Sequence, residues 1–188
     1  MIKLFNTGET QETLRQDYNP DGSVLRRAQL RMLDMAIYLQ ETAKKIGIPL
    51  RLDGGNVLGA LRHGGFIPWD DDIDMVISQK DFKRFCDYLK AHPHPNYVLQ
   101  DNSTDSGFYK EWACLRDLRT ENRSHENFNS ENRRIHEAQK YRGLHIDIFP
   151  YEGNMIPWLQ HLAAKLSVNV NLMSVAFVAW RKVHKISV

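Results

Sequence analysis

The chain has 188 residues, 42% apolar and 26% charged, with a formal net charge of +2. These are the proportions of one globular domain, with room for an appendage, and they exclude whole-chain disorder. The balanced charge also argues against a protein that neutralises a nucleic-acid backbone, so no nucleic-acid partner is expected. Cys86 and Cys114 are too few for a disulfide framework or a four-thiolate zinc site and read as reduced thiols, which points to the cytoplasm. The stretch Met1 to Glu9 turns polar before a signal-peptide core forms.

Residues 1–22 read as a polar, turn-rich N-terminal extension ending in Asn19-Pro20-Asp21-Gly22. From Ser23 to Ile46, apolar residues recur three or four apart (Leu25, Ala28, Met32, Met35, Leu39, Ala43, Ile46), the stripe of a core helix. Ser23 is its expected N-cap, and Gly47 with Pro49 its stop. Ile48, Leu50 and Leu52 alternate with polar partners as a short strand does, and the strand runs into Gly54-Gly55. A short helix is expected over Asn56–Arg62, then a loop opened by Gly64-Gly65, then a strand over Asp72–Ile77. Ser78 and Asp81 resemble a capping box for a helix with Phe82, Phe85, Cys86 and Leu89 on its buried side.

Strands are expected over Tyr97–Gln100, Phe108–Leu118 and Gly143–Pro150. The polar segment 119–142 reads as a loop, either a functional lid or disordered. One domain over 23–155 holds these elements. Residues 156–188 read as a basic amphipathic helix, with Leu159, Leu162, Leu166, Val170, Met173, Phe177 and Trp180 at helical spacing. From Met155 onward there is no acidic residue, while Lys165, Arg181, Lys182 and Lys185 are basic. That charge permits peripheral contact with an anionic inner membrane leaflet, although a solvated helix end explains it as simply.

The chemistry concentrates between Asp53 and Asp74. Asp70, Asp71, Asp72 and Asp74 place four carboxylates in five residues, a repulsive arrangement that calls for a cation. On a strand, Asp72 and Asp74 share a face, roughly 6.5–7 Å apart at the backbone. Two such carboxylates can chelate a hard divalent cation, Mg²⁺ or Mn²⁺. An EF-hand loop starting at Asp70 fails, because its sixth position is Met75 and its twelfth is Asp81. Gly54-Gly55, between strand and helix, permits close approach of a phosphate to helical N–H groups. Asp147, in Leu144-His145-Ile146-Asp147-Ile148-Phe149-Pro150, alternates away from the apolar residues and is the candidate third carboxylate; a salt bridge to an arginine is the alternative. Arg62, Lys110 and Arg116 are cations able to grip phosphate oxygens, although such residues are by default surface charges.

The run Leu58-Gly59-Ala60, Arg62-His63, then Gly65-Phe66-Ile67-Pro68-Trp69-Asp70-Asp71-Asp72-Ile73-Asp74, followed by Ile146-Asp147-Ile148-Phe149-Pro150, resembles the LicD family. That family is related to fukutin and fukutin-related protein and belongs to the nucleotidyltransferase-fold superfamily typified by DNA polymerase β. The resemblance covers roughly residues 25–155. It implies an α/β (α+β) fold with a mixed β-sheet flanked by helices. It also implies transfer of a phospho-alcohol, phosphocholine or similar, from a CDP-activated donor such as CDP-choline to a sugar hydroxyl of a cell-surface glycan or lipid-linked precursor.

On the matching positions, Asp72, Asp74 and Asp147 would bind Mg²⁺ or Mn²⁺, Gly54 and Gly55 would line the donor phosphates, and Asp147 would accept the hydroxyl proton. Many family members continue past the second landmark, so either the acceptor side is shortened here or the chain is part of a longer protein. Two other readings keep the fold: a nucleotidyltransferase that transfers an NMP from an NTP, and a non-catalytic interaction domain.

Overall fold

The computed structural model describes residues 11–121 and 130–151. The chain divides into two compact units, 1–151 and 152–188, and the described residues all lie in the first. The amphipathic helix expected over 156–188 is outside them.

Helix α1 (Gln11–Tyr18) lies in the segment expected to be a turn-rich extension. It buries no residue, so no apolar stripe announces it; Arg15 holds it through Glu12 and Asp21. Helix α2 (Val24–Lys45) begins as expected, with Ser23 Oγ accepting from Arg26 N at 3.0 Å. Met32, Met35, Leu39 and Ala43 are buried. Leu25 and Ala28 are only half-buried, and Gln29 takes the inward position instead. The Gln29 amide donates to the carbonyl oxygens of Ile67 (3.3 Å), Pro68 (3.4 Å) and Asp70 (2.8 Å), fixing the acidic loop against α2.

Strand β1 (Leu50–Leu52) leads into α3 (Gly54–His63), which takes both glycines into its first turn and so starts two residues earlier than the sequence pattern indicated. Strand β2 (Asp74–Ser78) starts two residues later than expected, leaving Asp72 in the preceding loop. Helix α4 (Gln79–Ala91) follows. The expected capping box is a side-chain pair instead: Ser78 Oγ donates to Asp81 at 2.6 Å.

Strand β3 (Tyr97–Gln100) is as expected, whereas β4 (Ala113–Asp117) is shorter than Phe108–Leu118. Residues 108–112 are irregular instead; they follow a turn in which the Asp101 and Asp105 carboxylates capture backbone N–H groups of Ser103, Thr104, Gly107 and Lys140. Part of the polar segment is helical: α5 spans Ser130–Ala138. Strand β5 (His145–Tyr151) completes a five-stranded sheet of order β1-β2-β5-β4-β3, in which β2 and β5 are parallel and the other neighbours antiparallel. This is the mixed α/β architecture the motifs implied.

Alternation along the strands gives the sheet two unlike faces. Met75, Ile77, Ile146, Ile148, Leu99 and Leu115 form one core with Met32, Met35 and Leu39 of α2 and Phe85, Cys86 and Leu89 of α4. The opposite face carries the acids. Among the described residues, no helix is long and apolar enough to cross a membrane.

Candidate active site

Register decides which acids meet. Asp74 and Asp147 are direct Cα partners across the parallel β2/β5 pair, so their carboxyls leave the same face of adjacent strands, about 4.8 Å apart in the sheet. Their neighbours Met75 and Ile148 anchor the opposite face. Asp147 N donates to Ile73 O at 3.2 Å, which carries the pairing one step toward Asp72. Asn56, on the first turn of α3, ties the acidic loop down. Its Oδ1 accepts from Asp74 N at 2.6 Å, and its Nδ2 donates to Asp72 O at 3.0 Å. Asp53 N donates to Asp74 O at 2.9 Å.

The glycines let the helix start approach the acids. Gly54 has φ of +53°, where side chains are strained, and a Cβ there would lie 3.9 Å from Asp74 Oδ2. A Cβ on Gly55 would come 3.3 Å from Asp70 Oδ2. The first turn of α3 thus abuts the carboxylates, with its positive end toward them.

Electrostatics follow from crowding. Burial first, then repulsion from Asp72, Asp147 and Asp53, pushes Asp74 up to about 7, against the pull of Lys110. Asp72 is also raised, by burial and then by Asp71 and Asp147. Asp147 goes the other way. Burial opposes its ionisation, but His145, the Cys114 thiol and the Lys110 ammonium overcome it. Lys110 Nζ lies 2.9 Å from both carboxylate oxygens of Asp147, and Cys114 Sγ donates to Oδ1 at 2.7 Å. The ammonium also lies 5.2 Å from the Trp112 ring centre, and Trp112 packs on Phe149 at 4.8 Å.

A set of oxygen donors that raise one another's pKa fits a hard divalent cation, and Lys110 is a positive charge already seated on one of them. Two trios among the described residues bring one ligand atom each within 4.8 Å: Asp70–Asp71–Asp72 and Cys114–His145–Asp147. Asp72, Asp74 and Asp147 are coupled through their charges.

Of the residues singled out in the sequence, Asp74, Asp147, Lys110 and Gly54 come together, whereas Asp72 lies in the loop beside Asp70 and Asp71 and reaches the pair through its charge, and Gly55 adjoins Asp70. Lys110, an expected phosphate ligand, is here the partner of Asp147, in the role that the alternative reading gave to an arginine. Arg62 sits in the last turn of α3, about 12 Å along the helix axis from Gly54. Arg116 is 4% exposed. Its Nε donates to Gln100, one terminal nitrogen to Gly143 O and the other to Gln139. It is therefore a structural cation in this fold and not the phosphate ligand the sequence suggested.

Sequence reasoning passed over Asn56, Cys114 and His145. His145 was legible two residues before Asp147 on one strand face; Cys114 was not, since only the β4/β5 register sets it opposite Asp147.

The sequence model of the family described as LicD/FKTN/FKRP, nucleotidyltransferase domain, matches residues 47–170. The chain is 32% identical over 131 residues to the lipopolysaccharide cholinephosphotransferase LicD of Haemophilus influenzae, covering 69% of this chain and 44% of that protein. It is 30% identical over 135 residues to the ribitol 5-phosphate transferase FKRP of mouse and of human, covering 65% of this chain and 23% of each. The chain thus spans less than half the length of these relatives. The acids, the glycine-led helix and all five strands lie within the matched residues, and the chain belongs to the LicD/FKTN/FKRP family of nucleotidyltransferase domains.

Proposed function

We propose that this chain carries the catalytic core of a metal-dependent phosphotransferase. It would move a phospho-alcohol, phosphocholine or a similar group, from a CDP-activated donor to a sugar hydroxyl of a cell-surface glycan or lipopolysaccharide precursor. The observation that supports it most is the side-by-side placement of Asp74 and Asp147 beside the glycine-led start of α3, in a chain whose relatives are named as transferases of such groups.

Asp72, Asp74 and Asp147 would hold Mg²⁺ or Mn²⁺, which would neutralise charge developing on the donor's phosphate oxygens. The α3 N-terminus directs its backbone dipole toward the same phosphates, and Gly54 and Gly55 leave the space for them. Lys110, once off Asp147, is a positive charge for an equatorial phosphate oxygen. Asp147, which His145, Cys114 and Lys110 favour in its ionised form in the free protein, would accept the proton of the attacking hydroxyl. We assign the reaction to the cytoplasm, peripheral to the inner leaflet, where Lys165, Arg181, Lys182 and Lys185 would supply attraction to anionic headgroups.

The test is ³¹P NMR of the protein with Mg²⁺, a glycan acceptor and CDP-choline or its ribitol counterpart. CMP and a phosphodiester are expected, and neither in a folded Asp74→Ala variant. Pyrophosphate released from an NTP would favour nucleotidyl transfer instead. An intact donor, with no divalent-cation binding by calorimetry, would leave a non-catalytic domain.

A further inference from the structure

Behind Asp147 lies a second donor set of different chemistry. Cys114 Sγ is 2.7 Å from Asp147 Oδ1, His145 Nε2 is 3.7 Å from the same oxygen, and one ligand atom from each of the three lies within 4.8 Å of the others. The edges of a tetrahedral zinc site with thiolate, imidazole and carboxylate ligands are about 3.3–3.7 Å, so small side-chain adjustments close this one. The three residues stand on adjacent strands in fixed register: Cys114 opposite Asp147 on β4/β5, and His145 two residues before it on the same face. A thiolate and an imidazole are poor ligands for Mg²⁺ and good ones for Zn²⁺.

The position also accepts positive charge already, because Lys110 Nζ lies 2.9 Å from Asp147 and 3.4 Å from His145 Nε2. Nε2 is thus the ring nitrogen that faces the ammonium and the Asp147 carboxylate.

We infer that Cys114, His145 and Asp147 form a binding site for a thiophilic divalent cation, Zn²⁺, which enters by displacing the Lys110 ammonium. The thiol proton passes to solvent as the sulfur binds, and the fourth position is left to water. One consequence rests on the proposed function: Asp147 would serve both sites, so Zn²⁺ would compete with Mg²⁺ and inhibit transfer.

Cobalt substitution tests the site. The reduced, chelator-treated whole protein is titrated with Co²⁺ in an anaerobic cuvette. One equivalent should produce a sulfur-to-cobalt charge-transfer band in the near ultraviolet and tetrahedral d–d bands in the visible, both abolished by one equivalent of Zn²⁺. Cys114→Ser should lose the charge-transfer band, His145→Gln should need at least tenfold more Co²⁺ to develop it, and Lys110→Met should need several-fold less. Asp74→Asn should keep the full spectrum, which separates this site from failure of the Mg²⁺ reading. Absence of a thiolate band in the unmodified protein overturns the inference, as does a band unchanged in Cys114→Ser or in His145→Gln.

Discussion

At the scale of single residues, the informative group is Asp74, whose carboxyl is pushed to about 7 by burial and three acidic neighbours. A folded-state pKa above the ordinary 3.8 means that the folded protein binds the proton more tightly than the unfolded chain does. This contribution to stability is full below pH 4 and fades as pH rises through 7. Asp74→Asn, which cannot ionise, should therefore be more stable than the parent in metal-free buffer at pH 8, by about 1–2 kcal/mol after solvent screening, and melt higher. The difference should shrink at pH 5, and thermal melts at the two pH values check it.

Mg²⁺ should reverse the order by favouring the ionised carboxylate. It should raise the melting temperature of the parent at pH 8, raise it less at pH 5, and leave Asp74→Asn nearly unmoved. An equal Mg²⁺ effect in both proteins would count against Asp74 as a ligand. Asp74 and Asp147 were legible in the sequence because alternation with Met75, Ile146 and Ile148 sets their facing, whereas Asp72, expected on the same strand face, lies in the loop before β2. The fate of Arg116 was not, because a strand cation is exposed or buried according to what covers its face. Here Gln100 and Gln139, far apart in sequence, enclose it.

At the scale of elements, α3 and the loop after it form the platform for the acids. Asn56 bonds both sides of Ile73 through Asp72 O and Asp74 N. Asn56→Ala leaves both groups without this partner and should cost about 1–3 kcal/mol in chemical denaturation. It should also lower kcat, because Asp74 loses its backbone anchor. Gly59 works by closeness: a Cβ there would lie 2.5 Å from Gly65 O and 3.0 Å from Ile67 N. Gly59→Ala should destabilise by about 1–3 kcal/mol. Gly65→Ala, with nothing within 4 Å of its added Cβ, should be close to neutral and serves as the control.

The long helix α2, with its apolar stripe and serine cap, was readable to within a residue. Helices α1 and α5 were not, because neither buries a side chain and helical period in a polar sequence leaves no mark. Residues 108–112 were read as the start of a strand that begins only at Ala113. They follow the turn in which Asp101 and Asp105 capture the backbone.

At the scale of the molecule, the sheet separates stability from chemistry. One face is closed by α2 and α4 around Met35, Leu39 and Phe85, all fully buried; the other bears Asp74, Asp147, Cys114 and His145. Leu39→Ala should cost about 2–5 kcal/mol yet leave turnover per folded molecule close to that of the parent below its melting temperature. Denaturant melts and specific activity measured on the same preparation check both halves. The central claim is that Asp72, Asp74 and Asp147 share a divalent cation. Anomalous diffraction from crystals grown with Mn²⁺ tests it most directly. The account predicts a peak bounded by these three carboxylates, with Lys110 withdrawn from Asp147. A saturated crystal with no peak between β2 and β5, or with one ligated by other residues, would contradict it.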